Sequence, residues 1–231
     1  MERHLMADDN AQQGMARHNQ PQRKVVTRFA LIAIGGFIVL MLAWVKASPW
    51  LSYPVAVLSH VALEQSTPMW IRSVDKQPGK ITVDTSVEIV VPDSGGRRAE
   101  VLLEANPGRY AFGLPILGAL LFAVWAVRRA PGRLWRMGLG YVLLLPFQSF
   151  SLVMYLLMEL ASASQFNIRT LRIEQWQLEA IVYGYQFGVL VVPTLVPVLV
   201  WLLLDGKFFS ALAHDWKQST RRAVLPSAKI E

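Results

Sequence analysis

Uncharged, apolar residues gather into four runs along this chain: residues 29–45 (17 residues), 110–127 (18), 137–158 (22) and 180–204 (25). At 1.5 Å per helical residue, each is long enough, or nearly so, to cross a hydrocarbon core about 30 Å thick. The pattern predicts an α-helical integral membrane protein with four transmembrane helices at those positions. A leading region of 28 residues precedes the first run. A secretory leader has a short n-region and an apolar stretch of about 7–15 residues. The first run is therefore read as a retained anchor, although Val45-Lys46-Ala47 resembles a small-residue cleavage site.

The residues between the runs follow other periods. Ser48-Pro49 is a helix-start signal, and Leu51, Val55, Leu58 and Ala62 follow at helical spacing. This predicts a helix over 50–65, along the outer boundary or beneath an outer module. Residues 81–91 alternate, with Ile81, Val83, Thr85, Val87, Ile89 and Val91 on one face and Thr82, Asp84, Ser86 and Glu88 on the other. Shorter strand candidates lie at 69–74 and 99–105, separated by turns at 75–80 and 92–96. Residues 46–109 are thus expected to form a small extracytoplasmic α+β module, a β-meander inserted between helices 1 and 2. Its apolar face needs a cover, either the 50–65 helix or the bilayer surface. Residues 159–179, with Phe166, Ile168, Leu171, Ile173 and Trp176, predict an interfacial amphipathic helix. Residues 1–22 are polar and aperiodic and predict a mobile tail. After Leu204 come Phe208, Phe209 and Leu212, then Lys217, Arg221 and Arg222, the order of a surface helix beside anionic lipid.

Charge orients this layout. The net charge of +7 is unevenly placed. Segments 1–28, 128–136 and 205–231 hold 14 Lys/Arg against 6 Asp/Glu, while 46–109 and 159–179 hold 9 against 10. The positive-inside rule therefore puts both termini and the connection bearing Arg128, Arg129, Arg133 and Arg136 in the cytoplasm. The basic tails, the Arg-rich loop and the outer loop account for the whole excess, so no nucleic-acid partner is needed and membrane lipid is the expected environment. Composition agrees, with 53% hydrophobic and 17% charged residues. A soluble enzyme, a coiled coil and a disordered chain are excluded.

Candidate chemistry is sparse. There is no cysteine, which rules out thiolate nucleophiles, disulfides and Cys-ligated metal. His4, His18, His60 and His214 show no metal-ligand spacing with carboxylates, and His60 and Glu64 form an i,i+4 pair. No catalytic residue, cofactor site or metal site is assigned. Polar residues within the apolar runs say more, because hydrocarbon makes unsatisfied polar groups costly. On a helical wheel Tyr141, Gln148, Ser151, Tyr155 and Glu159 share a stripe of the third span. In the fourth, Gln186, Pro193 and Pro197 share one, with Gly184 and Gly188 nearly opposite. Ser151 and Gln186 each fall about 9 Å inside the outer boundary. Gln148, Ser151, Tyr155, Gly184, Gln186, Gly188, Pro193 and Pro197 are therefore the candidate seam. It is either a helix-packing surface or a partner contact, and a transporter would show more intramembrane charge.

The junctions of the last three spans carry a further pattern. Asn106-Pro107-x-x-Tyr110-x-x-Gly113-Leu114-Pro115 leads into the second span, and Tyr185-Gln186-Phe187-Gly188, then Pro193-Thr194-Leu195-x-Pro197 and Trp201, make up the last. With the four-span layout and the β-rich insert, residues 44–210 resemble the exosortase H-associated membrane protein family. The resemblance implies a Gram-negative inner-membrane protein tied to an exosortase, which processes substrates bearing a C-terminal sorting signal. It implies no catalytic residue. Exosortases resemble transpeptidases that need a cysteine nucleophile, so a chain without cysteine fits a non-enzymatic accessory role, with the exosortase or its substrate as the membrane-protein partner. The rival classes are a small transporter or lipid-handling subunit and a membrane hydrolase with a site of unfamiliar form.

Overall fold

The computed structural model describes residues 2–90, 98–128, 133–206 and 210. The expected turn at 92–96, Arg129 and the basic surface helix after Leu204 lie outside the described residues. Among those described, Val26–Leu51, Leu134–Ala163 and Gln175–Gly206 are long and apolar enough to cross a membrane, and Gly113–Val127 is apolar but shorter.

The first helix, α1 (Glu2–Leu51), extends further than expected at both ends. It runs back into the segment read as an aperiodic tail, and it passes through Ser48-Pro49 without starting anew. The break falls at Ser52, before α2 (Tyr53–Ser66), where Pro54 occupies the first turn. Local hydrogen bonding explains the break. The Val55 amide donates to Ser52 O at 3.1 Å rather than to Leu51 O. The Leu51 carbonyl thus freed accepts from the Tyr141 hydroxyl at 2.8 Å. Ser48-Pro49 therefore starts no helix, and Ser52, four residues on, precedes α2 without a side-chain cap hydrogen bond.

α2 does not lie free along the boundary. Val55, Ala56, Ser59 and Leu63 are buried, and the helix packs on α4 (Arg133–Ala163). Ser59 Oγ donates to Ser149 O and Ser149 Oγ to Val55 O, both at 3.3 Å. Ser149 lies about 21 Å along α4 from its Ala163 end. The expected His60–Glu64 pair forms on this helix, at 3.2 Å.

β1 (Ile71–Gln77), β2 (Lys80–Val90) and β3 (Arg98–Ala105) make an antiparallel sheet in sequence order. The first turn is tighter than the six residues expected. Gln77 pairs with Lys80 across Pro78-Gly79, and Gly79 takes φ +84°, as a type II turn after proline requires. The alternation of β2 holds, with Ile81, Val83, Thr85 and Val87 buried and joined by Val101, Leu103 and Ala105 of β3. Thr85, the polar member of that face, donates to Val101 O at 2.7 Å. The other face is charged, with Arg72–Glu100 at 2.6 Å and Lys80–Glu104 at 2.7 Å. The cover of the apolar face is protein: α2, α4 and a single-turn helix α5 (Ile168–Leu171) contact the strands. The Trp70 indole donates to Leu171 O at 2.8 Å, fastening the sheet to that turn.

α3 (Gly113–Arg128) is only 16 residues long, about 24 Å. Asn106 Oδ1 accepts from Gly108 N at 2.9 Å to cap a 3-10 turn (Pro107–Arg109), and the first residues of the expected 110–127 span are spent on this entry. α3 packs on α1, and Trp44 Nε1 of α1 donates to Gly108 O in the 3-10 turn at 3.4 Å. The connection between α4 and the last helix is also shorter than expected. α4 continues to Ala163 and the next long helix begins at Gln175, so the interfacial helix expected over 159–179 is reduced to the one turn of α5. α6 (Gln175–Gln186) then passes through a π turn (Phe187–Val191) and on to Gly206, making the last helix, Gln175–Gly206.

Candidate functional site

Proline shapes the seam between α4 and the last helix. In the π turn the Val192 amide bonds to Phe187 O, five residues back. Residue 193 is proline and has no amide hydrogen, so Gly188 O loses the donor that would continue the pattern. Ser151 supplies it from α4, its hydroxyl donating to Gly188 O at 2.7 Å. The close approach depends on glycine: a Cβ at Gly188 would stand 3.1 Å from Ser151 Cα. Gly184, one turn outward, lies against Met154 of α4.

The inner half of the seam is made with α3. Pro193 and Pro197 are buried. A Cβ at Gly113 would come within 2.7 Å of Pro197 Cγ and 3.4 Å of Pro193 O, so the start of α3 fits the proline face only as glycine. Gln148, 2% exposed, donates from Nε2 to Ala111 O at 3.3 Å at the entrance to α3. Its Oε1 is buried with no hydrogen-bond partner among the described residues.

Gln186 lies elsewhere. Its side chain is exposed and makes no hydrogen bond among the described residues, although an ideal wheel places it with Pro193 and Pro197. The π turn is the reason. It inserts one residue into the helical repeat, and one residue is about 100° of rotation. Everything outward of Phe187 is turned by that amount relative to the prolines. Gly188 faces α4, and Gln186 faces outward with Tyr183, Phe187 and Leu190, which are all exposed.

Above the seam, Tyr155 donates to Glu159 Oε1 at 2.8 Å, and its ring packs on Tyr110 (centroids 5.0 Å) and Tyr185 (6.4 Å). At the other end Arg136 hydrogen-bonds Asp205, which is 8% exposed. This pair joins the start of α4 to the end of the last helix. Sequence reasoning missed it, and the available signal was one acid and one base flanking the corresponding ends of two apolar runs. It also missed the Ser59–Ser149 exchange and the role of Gly113. No group of three His, Cys, Asp or Glu that could hold a metal ion occurs among the described residues.

The arrangement fixes two long helices and a short one through a few backbone-directed hydrogen bonds, and leaves one amide facing out of the bundle. A family model described as exosortase H-associated membrane protein matches residues 23–208. No curated protein and no solved structure matches the chain.

Proposed function

The chain belongs to the exosortase H-associated membrane protein family, and from that premise we propose that it is a non-enzymatic accessory protein of the bacterial inner membrane that contacts an exosortase or its substrate. In this reading Gly113–Val127 is a short fourth crossing, the 46–109 module is extracytoplasmic and both termini are cytoplasmic. The distribution of Lys and Arg supports that orientation.

One observation carries the contact. Gln186 presents an unpaired amide on the outer face of an apolar helix. Hydrocarbon offers it no partner, and polar groups left in that position are costly. A side chain from a neighbouring transmembrane helix would supply the missing hydrogen bonds, with Tyr183, Phe187 and Leu190 as the surrounding contact. Gln148, Ser151, Gly184, Gly188, Pro193 and Pro197 then hold that face in position from inside, and Tyr155 does so from above.

Co-purification from membranes tests the proposal. Gln186→Leu keeps the volume and makes the helix more apolar, so insertion and yield hold. Recovery of the exosortase with the tagged chain falls several-fold, about what loss of one or two interhelical hydrogen bonds produces. Unchanged recovery with Gln186→Leu argues against this face as the contact.

A further inference from the structure

The connection between α4 and the last helix is strained and tightly held. Gln165, Phe166 and Arg172 have φ of 55°, 56° and 56°, a left-handed conformation that non-glycine residues keep only where their surroundings over-determine it. The surroundings do so. Gln165 N donates to Ser162 O at 2.9 Å, Phe166 N to Ala161 O at 2.8 Å and Ile173 N to Ile168 O at 3.1 Å. Asn167 Oδ1 accepts from the amides of Arg169 (3.0 Å) and Thr170 (3.3 Å). Leu171 is buried and its carbonyl is held by Trp70.

This frame holds a defined set of side chains outward. Phe166, Ile168 and Trp176 are exposed large apolar groups. Arg169 lies within the single turn of α5, and Arg172 is its left-handed C-terminal cap. Neither arginine has an ion-pair partner among the described residues. The nearby acids are engaged elsewhere, Glu174 with Trp176 Nε1 at 2.6 Å and Glu159 with Tyr155. The loop joins two helices that are each long and apolar enough to cross a membrane, so it stands at a membrane boundary. Phosphates are concentrated there, and aromatic side chains favour that level.

We propose that this loop is a docking site for the phosphate of an anionic phospholipid. Phe166, Ile168 and Trp176 enter the boundary of the leaflet beside it. The guanidinium groups of Arg169 and Arg172 take the phosphate oxygens through charge-assisted hydrogen bonds. The proposal rests on the membrane-spanning character of the flanking helices and is independent of the exosortase contact.

The absence of native cysteine makes the test local. The full chain carrying Thr170→Cys, an exposed position outside the contact set, is labelled with bimane and placed in phosphatidylcholine nanodiscs. Brominated phosphatidylglycerol or brominated phosphatidylcholine is added at the same mole fraction. Brominated phosphatidylglycerol, the anionic lipid of the two, quenches more strongly, reporting a local enrichment on the order of fivefold for each arginine that engages it. Arg169→Gln with Arg172→Gln removes the difference, and excess inorganic phosphate leaves it in place. Equal quenching by the two lipids in the parent, or an undiminished difference in the double variant, overturns the proposal. Loss of the difference on adding inorganic phosphate also overturns it, because the ligand is then a free phosphate and not a lipid.

Discussion

The Ser151 hydroxyl reaches Gly188 O at 2.7 Å, and it does so because Pro193 cannot. A carbonyl orphaned by the end of a π turn is satisfied from the neighbouring helix. Ser151→Ala leaves that carbonyl buried and unpaired, which costs about 1 kcal/mol between the lower value typical of helices in lipid and the higher one for a buried unsatisfied group. Thermal unfolding in detergent should show a lowered midpoint. Adding Pro193→Ala, which restores an amide donor to the helix, should recover part of the loss, and strict additivity of the two changes would contradict this account.

Gly113 and Pro197 make the second contact of the seam. A methyl group at Gly113 meets the proline ring at 2.7 Å, and neither a ring nor a helix start yields easily. Gly113→Ala should destabilise by about 1–3 kcal/mol, the usual range for overpacking. Pro197→Ala in the same chain should relieve most of that penalty. Relief from Pro197→Ala, read by the same unfolding measurement, separates a steric clash at this contact from a general intolerance of residue 113.

Much of the fold was legible in the pattern of apolar residues, and the misses have physical causes. The alternation at residues 81–89 identified β2 because one face is buried and the other is charged. The seam was legible only in part. Gln148, Ser151, Gly188, Pro193 and Pro197 are buried, but Gln186 points away from the prolines. A helical wheel assumes one uninterrupted repeat, and the single residue added by the π turn rotates Gln186 off the shared stripe. The start of α2 was missed because Ser48-Pro49 and Ser52-Tyr53-Pro54 carry similar local signals. Which one breaks the helix depends on Tyr141, ninety residues away, accepting the role of donor to Leu51 O. The Arg136–Asp205 pair likewise joins positions far apart in sequence, and its signal appears only when the ends of two separate apolar runs are compared.

That pair supports a prediction about the opposite end of the bundle. Asp205 is 8% exposed and Arg136 is partly exposed, so removal of the arginine strands a mostly buried carboxylate. Arg136→Leu should cost about 2 kcal/mol, less than a fully buried pair because solvent reaches the arginine. Arg136→Leu with Asp205→Leu should restore most of the stability. A double variant as unstable as the single one would show that the pair does more than neutralise the acid.

In the sheet, adjacent residues of β2 should respond oppositely. Val87 is 5% exposed on the covered face, whereas Glu88 is exposed and lies 3.6 Å from Arg98. Val87→Asp buries a carboxylate without a partner and should disorder the module at a cost of about 3 kcal/mol or more. Glu88→Lys loses a surface pair worth about 1 kcal/mol at most. Limited proteolysis of the membrane-embedded chain should cut the first variant within residues 67–105 and leave the second intact.

The claim that the outward amide meets a partner is tested most directly by placing a photo-crosslinking amino acid at position 186 in cells that express the exosortase. Irradiation should give an adduct that contains the exosortase or its substrate, and the same probe at Leu42, on the exposed face of α1, should give much less. An adduct with lipid alone at position 186, or equal protein adducts at both positions, would contradict the account.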